Sequence, residues 1–357
     1  MKKILLGITC LLTGLFSSYG QTSTTGSSYV STAVPFLSIT PDSRAAGMGD
    51  VGVATSADIN SIHWNLSKTV FAKRNGGVSV SYTPWLKEIA TGMSLGYFSG
   101  YYKLGDKQAI SASFRFFNLG DVDIIDANGA MLKTSTPNEF SFDLGYSRKL
   151  SENFSMGVAF RYIQSNIIEG QSGSSVAADI SAFYTKPLDN GNIAFGANIS
   201  NIGSKMSYSN NSYYLPTNLK IGTSYTRELS PKSKLSISLD VNKLLVDGGE
   251  AASGQAKKGV VVIGNASNDD VIASMISSLG DLSSVTYSLG TEYGFQDQFF
   301  ARLGYFYESE DAGNRNYLTT GLGMNYSNID FDLAYLITTD ANNPLKNTLR
   351  FTIGYTF

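Results

Sequence analysis

The residues able to do chemistry are few. The 357-residue chain holds one histidine, His63, and one cysteine, Cys10. A Ser-His-Asp hydrolase would depend on His63, which sits between Ile62 and Trp64 without a Gly-x-Ser-x-Gly elbow or other nucleophile context. His63 therefore reads as a hydrogen-bonded structural histidine, and the chain as non-enzymatic. Cysteine-rich and histidine-rich metal centres are excluded by count. Asp121, Asp123, Asp126 and Asn128 in the segment DVDIIDANG offer oxygens at a spacing loosely like a calcium loop. The D-x-[DN]-x-[DN]-G pattern is broken where Ile125 and Asp126 fall out of step, so a solvated loop is expected there, with no metal and no cofactor. Lys+Arg 27 against Asp+Glu 29 gives a net charge of -2, without the basic excess that nucleic acid would require.

Other residues say where the chain goes. Met1-Lys2-Lys3, the apolar run Ile4 to Phe16 and the small-x-small site Ser18-Tyr19-Gly20 predict a signal peptide over 1–20. Cys10 falls inside its apolar core, which argues against a lipoprotein anchor. Residues 21–30 are Ser/Thr/Gly-rich and read as a flexible N-terminus. From residue 76 to 357 the pattern alternates with period two. Leu349, Phe351, Ile353, Tyr355 and Phe357, for example, interleave with Arg350, Thr352, Gly354 and Thr356. About fourteen such runs, most near ten residues, suit tilted membrane strands. Short turns alternate with longer connections near 84–90, 119–138, 166–174, 202–216, 244–284, 309–315 and 338–346. That asymmetry predicts a closed, antiparallel, all-β transmembrane barrel with tight periplasmic turns and long outer loops.

Charge placement agrees with that prediction. Arg115, Arg161, Lys220, Arg302 and Arg350 share the polar parity with Asp143, Asp179, Asp240, Glu292, Asp330 and Asp332. An outward Arg or Lys at mid-bilayer costs about 2–4 kcal/mol, so this face must line the lumen. The balance of signs predicts an occluded, salt-bridged interior or ordinary polar lumen residues, not a one-sign ion channel. Tyr82, Trp85, Tyr97, Tyr101, Tyr184, Tyr225, Tyr293 and Tyr307 read as interfacial girdles.

Residues 31–75 lack strand alternation yet are rich in apolar side chains, which a wet periplasmic tail would leave exposed; a hatch inside the lumen is expected. Pro41, Asp42, Arg44, Gly47, Gly49, Asp50 and Asn65 are its candidate residues, the glycines for close backbone approach and the polar groups for interior charges and turns. The stretch Ser38 to Thr55 (SITPDSRAAGMGDVGVAT), followed by Asn60-Ser61-Ile62-His63-Trp64-Asn65, resembles the N-terminal hatch of the PorV family, relatives of the FadL fatty-acid transporters. Asn65-Leu66-Ser67 departs from the usual Asn-Pro-Ala.

The resemblance implies a FadL-like barrel of fourteen strands with no catalytic role in the type IX secretion system. Such a barrel would bind the C-terminal domains of secreted cargo at the translocon barrel (SprA or Sov). It would then carry cargo to an attachment complex that includes PorU. The alternatives are a FadL-like transporter of hydrophobic small molecules such as fatty acids, and a sortase-associated barrel such as PorQ. In the longest loop, Val260, Val261, Val262 and Ile263 form an apolar run. Asn268-Asp269-Asp270 then caps a helix with Val271, Ile272, Met275, Ile276 and Leu279 on one face. That face is expected to roof the barrel; docking a partner or cargo is the alternative.

Overall fold

The computed structural model describes residues 32–86, 92–125, 131–168, 171–209, 211–246, 270–279, 284–309, 313–338 and 345–357. The expected signal peptide, Asp126, Asn128 and Val260–Ile263 lie outside these residues.

Alternation becomes a barrel because each strand can satisfy two solvents at once, lipid on one face and a polar interior on the other. The wall strands are β1 (Gly76–Pro84), β2 (Met93–Lys103), β3 (Gln108–Leu119), β6 (Asn138–Lys149), β7 (Phe154–Ile168), β8 (Gln171–Leu188) and β9 (Gly191–Gly203). They continue as β12 (Asn218–Ser230), β13 (Ser233–Leu244), β14 (Val285–Phe295), β15 (Phe299–Glu308), β16 (Tyr317–Tyr326), β17 (Ile329–Thr338) and β18 (Leu349–Thr356). All neighbours are antiparallel, and β18 pairs with β1 from Gly77–Thr356 to Tyr82–Phe351, closing the cylinder without a free edge. On β15, Leu303 is 66% exposed while Arg302, on the opposite face, is 4% exposed. All the strand connections between β3 and β6, β9 and β12, and β13 and β14 leave from one end, which is the outer end. The short turns after β2, β6, β8, β12, β14 and β16 mark the periplasmic end.

Several details differ from the sequence expectation. The expected loop at 166–174 is largely strand, because β7 and β8 run on as a tall hairpin through Ile168 and from Gln171. The connections at 119–138 and 202–216 contain small hairpins, β4 (Val122–Ile125) with β5 (Met131–Ser135), and β10 (Met206–Tyr208) with β11 (Asn211–Tyr213). In the first of these, Asp123 and Asp121 accept hydrogen bonds from Thr134 (2.8 Å) and Thr136 (2.8 Å). Tyr97 and Tyr101 are not girdle residues: both face inward and are buried, because the inner wall of β2 is aromatic. The helix Val271–Ser278 buries Ser274 and Ser278, half-buries Val271 and Met275 and leaves Ile272, Ile276 and Leu279 exposed, so the expected apolar face is only partly covered.

Candidate functional site

The inner face of the wall meets residues 32–75. Short helical turns at Pro35–Ser38, Ser43–Ala46, Ser61–Trp64 and Leu66–Phe71 fold this segment. Asp42 follows Pro41, which is buried, and caps the Ser43 turn by accepting from Ala45 N (3.0 Å). Its other oxygen accepts from Trp64 Nε1 (2.7 Å), which ties the two halves of the segment together. Asn65 caps the next turn through Ser67 N (3.1 Å) and donates to Val53 O (3.0 Å) and to Ala182 O (3.0 Å) in the wall.

Backbone meets backbone where the residues are smallest. Gly47 stands against Gly321; a Cβ on Gly47 would lie 3.0 Å from the Gly321 Cα. Gly49 has φ +71, and a Cβ there would lie 2.6 Å from Tyr305 N. A Cβ on wall residue Gly304 would overlap the Met48 carbonyl and Gly49 N. Only glycine on both sides permits this approach.

The charged residues divide into two groups. Two cross-wall networks pair as opposite charges in a low-dielectric interior should. Arg161 bridges Asp143 (2.6 Å) and Asp179 (3.1 Å), and Arg302 bridges Glu292 (2.7 Å) and Asp332 (2.5 Å). The remainder, Asp330 excepted, hold the N-terminal segment. Arg44 spans Glu292 (3.0 and 2.9 Å) and Asp58 (2.9 Å). Asp240 accepts from Gly52 N (2.7 Å) and Val53 N (2.9 Å). Arg350 donates to Thr40 O (3.0 Å) and faces Asp50 at 3.8 Å, while Tyr317 donates to Asp50 (2.6 Å). Lys220 lies 4.8 Å over the Trp64 ring. Asp330 is half-buried and accepts from Asn325 (2.5 Å).

Arg115 donates to Phe36 O (3.1 Å), Leu37 O (2.9 Å) and His63 Nδ1 (2.6 Å). A guanidinium has no acceptor, so Nδ1 of His63 must be the unprotonated acceptor. Burial, reinforced by Arg115, Lys220 and Arg161, pushes the His63 pKa well below its ordinary value. Burial likewise lowers Lys68 to about 8. Its ammonium is held by Gly52 O (2.6 Å) and Thr55 Oγ1 (2.9 Å). The polar pocket beside His63, walled by Arg161, Asp179, Asn201 and Lys220, measures only about 10 Å³. One water needs that much room.

The arrangement brings Asp42, Arg44, Gly47, Gly49, Asp50 and Asn65 together with the lumen charges. Asp58, Lys68, Thr319 and Thr352 also carry it: Thr319 accepts from Gly49 N (2.8 Å) and Thr352 from Ser43 N (2.9 Å). Sequence parity placed Thr352 on the inner face, but nothing in the sequence marked the partner of either threonine. Toward the outer end, Phe36 and Leu37 pack with Leu95, Phe117, Ile163, Met206 and Leu215.

A closed barrel of fourteen strands with a polar, N-terminally lined interior defines the class: a FadL-like outer-membrane barrel, resident in the outer membrane. Similar solved structures include the toluene transporter TbuX of Ralstonia pickettii, at 10% identity and TM-score 0.52 over 88% of this chain and 97% of that one. The CymD monoaromatic hydrocarbon channel matches at 12% identity and TM-score 0.55, covering 89% and 97%. A Pseudomonas aeruginosa FadL homologue matches at 11% identity and TM-score 0.50, covering 89% and 98%. At such identities the likeness concerns the fold. The model of the type IX secretion system protein PorV matches residues 22–251, and the chain belongs to that family. A comparison with curated protein sequences finds no match.

Proposed function

We propose that this barrel is a non-enzymatic carrier in type IX secretion. It binds the C-terminal domain of secreted cargo at the translocon barrel (SprA or Sov) and delivers it to the attachment complex containing PorU. The observation that carries this reading is the family match over residues 22–251. The interior supports it. Residues 32–75 act as a plug, tied to the wall by buried charges, and the polar pocket between them has room for about one water. The protein then works through its outer surface. The exposed Ile272, Ile276 and Leu279 make the helix of the longest loop the first candidate for contact with cargo or translocon.

The test is purification of the intact chain from gently solubilised outer membranes, with and without the translocon barrel. Cargo carrying its C-terminal domain should co-purify when the translocon barrel is present, and be lost when that barrel is absent or that domain is deleted. Absence of cargo from both preparations contradicts the reading. The second reading, transport of a hydrophobic small molecule, draws on neighbours described as toluene transporter and hydrocarbon channel. It requires saturable uptake of a labelled long-chain fatty acid.

A further inference from the structure

The lipid-facing wall is not uniformly convex. A groove of about 710 Å³ crosses β14 to β18, with an almost wholly apolar lining. That volume is within the range of clefts that hold whole organic ligands. Its floor is Ala301, an outward residue set in register between Tyr293 and Leu322, both large. The groove continues through Leu333 to Phe351 along the same cross-strand row. Phe299 forms its periplasmic edge.

Followed the other way, the row passes from Tyr293 through Leu235 to Arg227. Arg227 is exposed and shares its face of β12 with the outward-facing Tyr225 and Ile221. It lies two strands from Tyr293, roughly 10 Å at ordinary strand spacing. Its neighbour Glu228 points the opposite way, in register with Lys234 on the inner face. Lys232, also exposed, sits in the adjoining β12–β13 turn.

Because the strands tilt, a row across them changes depth. Arg227 is near the periplasmic end of β12, whereas Phe351 is near the outer end of β18. The row therefore begins with a cation at the periplasmic interface and rises through an apolar trough into the hydrocarbon. A glycerophospholipid has that polarity, with an anionic phosphate at the interface and an acyl chain above it. The groove is continuous with the apolar band that lipid already wets, and Arg227 and Lys232 supply complementary charge.

We propose that this wall holds one anionic glycerophospholipid of the periplasmic leaflet, its phosphate on Arg227 and one acyl chain in the groove over Ala301. The site is independent of the carrier function.

Native mass spectrometry of the full chain, titrated with dioleoylphosphatidylglycerol and dioleoylphosphatidylcholine, tests it. The wild type should retain one phosphatidylglycerol about fivefold more tightly than phosphatidylcholine, the contribution of one cation near an anionic headgroup. R227A, a change at an exposed side chain, should bring the two lipids to parity. A301W, which fills the floor, should weaken both, while A112W at an outward alanine on β3 should weaken neither. Equal binding of the two lipids by the wild type, or unchanged selectivity in R227A, would overturn the proposal. So would unaltered lipid binding by A301W accompanied by loss of the co-purifying translocon barrel, which would assign the groove to a protein neighbour.

Discussion

Arg44 is the side chain on which the N-terminal segment depends most visibly. Its guanidinium makes a forked pair with Glu292 (3.0 and 2.9 Å), a bond to Asp58 (2.9 Å) and bonds to Ser56 O (3.1 Å) and Ser56 Oγ (2.7 Å). The side chain is only 14% exposed, and Glu292 only 10%. Breaking a buried ion pair by deleting one partner costs about 3–5 kcal/mol. Glu292 keeps Arg302 at 2.7 Å, so the lower end applies, about 3 kcal/mol for R44A. That corresponds to about a 150-fold rise in the open population of the segment. Hydrogen–deuterium exchange should report it, with amides of residues 43–58 exchanging faster by about that factor and the wall strands unchanged. R44K keeps the charge and loses the fork, so it should fall between the two. Unchanged exchange over 43–58, or equal acceleration of β14 and β15, would refute the reasoning.

Three further perturbations address the N-terminal segment and the wall. The folded-state pKa of His63 is depressed, so its contribution to closure is complete above about pH 6.5 and declines as pH falls, by up to about 1.4 kcal/mol per unit. As pH falls from about 6.5 toward 5 the segment 61–71 should lose more closure in the wild type than in H63Q, read by exchange. Asp42, whose pKa burial raises, acts with the opposite sign in both proteins and cancels; identical pH dependence would contradict the assignment. G304V forces a side chain into the Met48 carbonyl and should loosen residues 45–52 by about 3 kcal/mol, with the protein still heat-modifiable as a folded barrel. L303R puts a charge on the lipid face of β15 and should lower unfolding stability in bilayers by about 2–4 kcal/mol, whereas no change would mean the outward register is wrong.

The strands were legible because a wall between lipid and a polar interior imposes period two on every residue. Parity then put Arg115, Arg161, Lys220, Arg302 and Arg350 inside. It did not say what they touch. Arg161 and Arg302 pair across the wall, but Arg115 and Arg350 spend their donors on carbonyls of Phe36, Leu37 and Thr40, distant in sequence. Tyr97 and Tyr101 misled because aromatic residues near strand ends serve a girdle or an inner packing surface equally well. The helix of the longest loop was legible from its period, although Asp270 at its N-terminus makes no side-chain capping bond, and periodicity cannot state which way an apolar face turns. The inward glycines held a signal that is clear in retrospect. Gly290, Gly304 and Gly321 stand where the Gly47-Met48-Gly49 backbone presses on the wall. Inward positions without side chains thus trace the footprint of an internal segment.

Planar-bilayer conductance of the purified full chain tests the central claim most directly. A lumen filled by residues 32–75 should give no sustained ion current at any moderate voltage, and removal of that segment should open one. A steady ohmic current through the unaltered protein would contradict it.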